Sequence, residues 1–241
     1  MFEDLSERQI SLINAIIKEY LATSEPVGSN VIVKKYSLRC SPATVRNEMA
    51  RLLEDGYLDM LHTSSGRVPT PQAYRLFLNE IMEEHDIPVL QEVAIKQRLW
   101  PSRFELSRLL RQSTIALADY SQLLAVATTD DGHVIFSGAV NLLDHPEFWD
   151  ISVAKSALYV FDNYELLEKW VTKTPKTDDV WVLLGDDLNH ENLTNCSFVY
   201  SSYNVGPNRG YIGVFGPSRM DYSRVIPGVR YTKRLVEELG S

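Results

Sequence analysis

The sequence predicts an α+β protein in two parts, and three observations predict it. Residues 1–86 hold four runs of helical apolar spacing, each opened by a capping residue, with a short strand-like pair before the fourth. Residues 122–241 alternate strand-like apolar runs with helical runs. Between them, after Pro88, lies a single expected linking helix within 87–121. At 241 residues and 44% hydrophobic content, the chain is long enough for two small cores.

Ser6-Glu7-Arg8-Gln9 reads as a capping box, and Ile10, Ile13, Ile17 and Tyr20 follow as an apolar stripe widened by Leu12 and Ile16. Pro26 and Gly28 break that helix. A second, short helix is expected over 29–36 with Ser29 as its cap, then a turn over 37–40. Ser41-Pro42 opens a third helix, Ser41 as N-cap and Pro42 in the first turn, and Gly56 closes it. Residues 57–62 read as a strand, 63–66 as a turn and 67–69 as a returning strand. Thr70-Pro71 then caps a fourth helix expected through Glu84.

The third helix carries the functional signal. Val45, Met49, Leu52 and Leu53 share one face; Ala43, Asn47, Ala50 and Arg51 lie opposite, flanked by Thr44 and Arg46. Small residues let a helix enter a groove, asparagine can read adenine, and arginine can read guanine or hold phosphate. A solvated face holding two arginines is the bland alternative. The strand pair that follows shifts the balance, because three helices and a two-stranded wing make a winged helix-turn-helix. The expected DNA contacts are Ser41, Ala43, Thr44, Arg46, Asn47 and Arg51 on the helix, and His62, Ser64, Ser65, Gly66 and Arg67 on the wing. Whole-chain charge, −8, argues mildly against nucleic acid; yet residues 28–75 hold seven basic against four acidic side chains, a local +3, leaving −11 elsewhere.

These segments resemble the HrcA family of heat-inducible transcription repressors. The resemblance lies in Glu25-Pro26-Val27-Gly28-Ser29, in Ser41-Pro42-Ala43-Thr44-Val45-Arg46-Asn47-Glu48-Met49-Ala50 and in His62-Thr63-Ser64-Ser65-Gly66-Arg67-Val68-Pro69-Thr70. It extends to Asn141-Leu142-Leu143-Asp144-His145-Pro146-Glu147-Phe148, to Asn195-Cys196-Ser197 with Tyr203, and to 216–225. It implies a homodimeric repressor on an inverted-repeat operator, the CIRCE element, upstream of chaperone genes. It also implies folding assistance by a GroE-type chaperonin and a GAF-like second domain, here 122–241. The family usually carries a longer stretch between the positions matching Tyr120 and Phe136, including an inserted domain used for dimer contacts. Here a single hairpin spans that interval, so the usual dimer interface is not expected. Gly185-Asp186 also departs from the family, which generally has glutamate after the glycine.

In the second half, a helix is expected over 102–120 with Ser102 and Glu105 as a capping box. A strand over 123–128, a turn at Asp130-Asp131-Gly132 and a return over 133–136 follow. Helices are read through Phe161 and over 164–171, strands over 180–184, 196–201 and 211–215, and a last helix over 221–239 bent or interrupted at Pro227-Gly228.

Other chemistry is sparse. Gly213-Val214-Phe215-Gly216-Pro217 lacks the Lys-Ser/Thr of a P-loop and reads as a tight strand-to-helix turn, an anion nest being the lesser alternative. His133, His145 and His190 read as surface histidines at no metal-ligand spacing. Cys40, before the third helix, reads as a packing residue ahead of a redox switch, and with Cys196 it makes no disulfide framework. No catalytic constellation stands out, so no cofactor and no enzymatic activity are expected. No secretory signal and no apolar run near the ~20 residues of a membrane helix is present, which places the expected protein in the cytoplasm. A second reading makes the GAF-like domain a small-molecule sensor that controls the winged helix.

Overall fold

Helix α1 (Glu7–Thr23) starts where the capping box predicts: the Gln9 N–H donates to Ser6 Oγ at 3.3 Å, and the Ser6 N–H donates to Gln9 Oε1 at 2.9 Å. Leu12, Ile13, Ile16 and Ile17 are buried, as the stripe requires. In the computed structural model, residues 5–36, 41–60, 66–172 and 180–241 are described. The chain divides into two compact units, Met1–Glu83 and Glu84–Ser241.

In the first unit, α2 (Ser29–Lys35) is capped by Gly28, not Ser29. Ser29 is the first helical residue and is buried, so its hydroxyl is not placed to cap. Helix α3 (Pro42–Glu54) has the predicted Ser41 cap and buries Val45, Met49 and Leu52. The expected strand over 57–62 is confined to β1 (Leu58–Asp59) among the described residues; it pairs antiparallel with β2 (Val68–Pro69), Leu58 opposite Pro69. The turn at 37–40, with Cys40, and residues 61–65 lie outside the described residues. Helix α4 (Pro71–Leu76) is capped by Thr70 and runs into a π-helical turn, Phe77–Ile81. It stops short of the expected Glu84 because the Met82 N–H closes on the Phe77 carbonyl and Met82 turns extended.

The second unit opens with a helix absent from the sequence reading, α5 (Val89–Leu99). The expected capping box at Ser102 does not form. Trp100–Ser102 is a 3-10 turn, α6 (Leu106–Ser121) starts after Glu105, and the Glu105 carboxylate pairs with Arg108 at 2.8 Å instead of reaching back. Residues 87–121, expected as one linking helix, thus hold α5 and α6, both within the second unit.

Next come β3 (Leu124–Thr128), β4 (Val134–Ser137), α7 (Ile151–Phe161), α8 (Tyr164–Val171), β5 (Trp181–Leu184), β6 (Cys196–Val205), β7 (Asn208–Pro217) and α9 (Tyr222–Gly240). The five strands form one antiparallel sheet, ordered β4-β3-β7-β6-β5. Strands β6 and β7 run beyond their expected bounds and join as a hairpin; Asn204, Asn208 and Arg209 in their outer halves break the apolar run that marks a strand in the sequence. Alternation splits the sheet. Leu124, Val126, Phe198, Tyr200 and Phe215 join a core with Phe148, Phe161, Leu167 and Trp170 of the α7–α8 layer. The other face packs under α6 and α9.

The 213–217 run is neither a nest nor a turn; it is the end of β7, pairing with both β3 and β6. A Cβ on Gly213 would sit 2.3 Å from the Val199 carbonyl oxygen, so the glycine admits a close strand contact. His145 is also not a surface histidine. It lies half-buried, 3.5 Å from Arg219, which grips the Glu147 carboxylate at 2.6 and 3.1 Å; burial and then the guanidinium hold its pKa below the usual value.

Candidate nucleic-acid interface

The first unit presents α3 as a helix anchored on one side and bare on the other. Its N-terminus is held by Ser41: the Thr44 N–H donates to Ser41 Oγ at 3.1 Å, and the two hydroxyls hydrogen-bond at 2.9 Å. Both polar residues at this end therefore serve the cap first. Ala43, Arg46, Asn47, Ala50 and Arg51 are exposed, and Thr44 is half-buried at the edge of the face. Arg46 and Asn47 have no side-chain partner among the described residues, so their guanidinium and carboxamide are available to a ligand. Those groups match the chemistry by which guanine and adenine edges are read.

Two buried carboxylates set the helix positions, and neither stood out in the sequence. Glu48 lies on the core side of α3, buried, and forms an ion pair with Arg8 of α1; Arg51 stands 3.9 Å from the same oxygen. Glu19 of α1, also buried, accepts from Lys35 Nζ at 2.6 Å and from the Tyr36 hydroxyl at 3.3 Å. Burial and then the Glu19 charge push the Tyr36 phenol above its usual range. Arg8 precedes Glu48 by forty positions, so no local pattern reveals the pair. Because the Arg8 side chain is more than half exposed, solvent screening limits what the pair contributes. Glu48→Gln is expected to cost about 1 kcal/mol of stability and to weaken duplex binding modestly, as read by urea denaturation and fluorescence anisotropy.

The strand pair beside α3 is tied to the rest of the unit. The Val27 N–H donates to the Arg67 carbonyl at 2.8 Å, and the Arg67 N–H returns to Val27 at 2.9 Å. Gly66 passes so close to this segment that a Cβ would lie 2.5 Å from Pro26 backbone atoms. Gly66 and Arg67 therefore run beside Pro26 and Val27 just ahead of β2, the Arg67 side chain half-buried. Of the other predicted wing contacts, His62, Ser64 and Ser65 lie outside the described residues. Gly66→Ala is expected to break the bridge to Val27 and cost about 1–3 kcal/mol by overpacking; an unchanged urea midpoint would show that the backbone relaxes around the methyl.

Elsewhere, burial raises the Cys196 thiol far above its usual range, which suits a packing residue. Among the described residues no helix is long and apolar enough to cross a membrane, and no three His, Cys, Asp or Glu side chains cluster to hold a metal.

Comparison with known proteins bears on the whole chain. Residues 60–226 match the family model of the HrcA protein C terminal domain. A heat-inducible transcription repressor HrcA of Pelotomaculum thermopropionicum is 26% identical over 337 aligned positions, covering 98% of this chain and 97% of that protein. The repressor of the same name from Geobacter sulfurreducens is 29% identical, covering 98% of both. At 241 residues the present chain spans those relatives as a short form. A crystal structure titled as that of a hypothetical protein superposes with a TM-score of 0.81 at 16% identity, over 98% of this chain and 99% of that one, and shares its fold. The family match covers well over half of the sequence, and the chain belongs to the HrcA family, whose relatives named above are heat-inducible transcription repressors.

Proposed function

We propose that this protein is a heat-inducible transcription repressor that binds duplex DNA with α3 as the recognition helix of a winged helix-turn-helix. The observation that carries the reading is the bare face of α3: Arg46 and Asn47 exposed, without partners among the described residues, on a helix whose opposite face is locked into a core. The first unit would then be the DNA-binding domain and the second a GAF-like regulatory domain. The operator would be an inverted repeat of the CIRCE type near chaperone genes, met by a homodimer in the cytoplasm, because a two-fold protein matches two half-sites. Folding assistance by a GroE-type chaperonin belongs to the same reading.

Fluorescence anisotropy tests it. The protein should bind an inverted-repeat duplex far more tightly than a scrambled one, with affinity falling steeply as salt rises. Equal affinity for both duplexes would defeat the repressor reading. The small-molecule alternative is less favoured, because the layer between the sheet and α7–α8 is filled by aromatic rings. Phe161 and Phe215 have centroids 5.1 Å apart, and Phe198 stacks on Tyr200 at 4.9 Å.

A further inference from the structure

Helix α5 is held by one face only. Ile95 and Leu99 are buried; Lys96 Nζ reaches Glu238 of α9 at 2.9 Å, and Arg98 reaches Asp119 of α6 at 2.7 Å. The Tyr231 hydroxyl donates to the Glu92 carbonyl at 3.1 Å. The opposite face of α5 carries Leu90, Val93 and Gln97, and Trp100 and Phe104 follow beyond its end, all five exposed, Leu90 at 84% and Phe104 at 85%. Their spacing alternates between three and four residues, the seam of a coiled coil. The 3-10 turn Trp100–Ser102 carries the stripe past the end of α5. The Arg103 guanidinium lies 4.4 Å from the Trp100 ring centroid and 4.1 Å from the Phe104 ring centroid, so one cation meets both rings.

The order along this stripe is the same in kind from either end: large apolar, apolar, amide, apolar, large apolar. We propose that the stripe Leu90, Val93, Gln97, Trp100 and Phe104 seats the same stripe of a second copy of this chain, antiparallel about a two-fold axis through Gln97. Leu90 then meets Phe104 of the second copy, Val93 meets Trp100, and Gln97 meets itself, the reciprocity an isologous interface demands. The Gln97 carboxamide has no partner among the described residues, and an amide both donates and accepts, so two of them satisfy each other across the axis. One polar position in an apolar seam fixes register. No residue of the stripe itself is charged; the cation against it, Arg103, lies over the Trp100 and Phe104 rings. Its apolar area is on the order of 500 Å² per copy, close to the apolar share of the ~800 Å² each partner contributes to a standard interface. The second exposed apolar patch, with Val140, Leu143 and Trp149, lacks this periodic symmetry. The inference rests on the reading of the chain as a two-fold repressor, and it names the surface that makes the pair.

Light scattering and duplex binding on the full chain test it. Wild type should be a dimer, and Val93→Glu/Trp100→Glu should raise the dimer dissociation constant at least about a hundredfold, since two carboxylates would be buried without partners. Both positions are exposed in one copy, so the circular-dichroism melt should show an intact fold. In a Cys40→Ala background, Gln97→Cys should form a disulfide-linked dimer under diamide, whereas Arg98→Cys should not. A double variant that stays dimeric, a Gln97→Cys chain that does not cross-link, or a dimer abolished by Trp149→Glu instead would each overturn the proposal. A wild-type monomer that binds a single half-site specifically would overturn it while leaving the repressor reading standing. A wild-type dimer lost in the double variant, yet blind to any inverted repeat, would support the interface and sink the repressor.

Discussion

Replacing Arg46 and Asn47 together by alanine is expected to abolish sequence-specific binding to duplex DNA while leaving thermal unfolding unchanged. Both side chains are exposed on α3 and neither holds another part of the protein among the described residues. Alanine is the better helix former at an exposed position, so the helix itself loses nothing. A good bidentate contact to a base edge discriminates by about 1–3 kcal/mol, so losing two costs roughly 2–6 kcal/mol per half-site. At about 1.4 kcal/mol for each tenfold, that is about thirtyfold to twenty-thousandfold. Arg51 and the backbone at the helix start remain, so weak, salt-sensitive binding to any duplex should persist. Anisotropy titrations on inverted-repeat and scrambled duplexes separate the two components. Wild-type affinity for the inverted repeat in the double variant would remove α3 from the interface.

The second large effect is on stability. Phe161→Ala should destabilise the second unit by about 3–5 kcal/mol, the range for deleting a buried aromatic ring. Phe161 is 1% exposed and meets Trp170 at 6.2 Å, Phe198 at 6.3 Å and Phe215 at 5.1 Å between ring centroids, in edge-to-face geometry. Such pairs add roughly 0.5–1.5 kcal/mol beyond area burial. Urea denaturation followed by tryptophan emission reads the change, because Trp170 lies in the same cluster. A loss under about 1 kcal/mol would mean this layer is loosely packed, and would reopen it as a pocket for a small molecule. The same residue thus tests both the core and the sensor alternative.

What was legible in the sequence follows from the range of the forces involved. Helices α1 and α3 match the expected positions closely, because a cap and an apolar stripe act within a turn or two of the chain, and α8 matches on its stripe alone. The polarity of α3 was legible for the same reason: once it is a helix, Val45 and Met49 must face inward and Asn47 outward. Helix α5 was missed because most of its large apolar residues point outward, so its stripe marks a surface and not a core. Strands β6 and β7 were cut short where polar residues lengthen the hairpin beyond the buried part.

The sequence by itself determined that α3 presents Arg46 and Asn47, since a 3.6-residue period and a capping serine leave no other arrangement. Only the tertiary structure decided that Glu48 is a buried anchor and not a surface charge, that Gly66 serves the passage beside Pro26, and that Gly216 and Pro217 extend a strand in place of a turn. Each depends on a group distant along the chain, Arg8, Pro26 or Cys196, brought close by packing that no local pattern encodes.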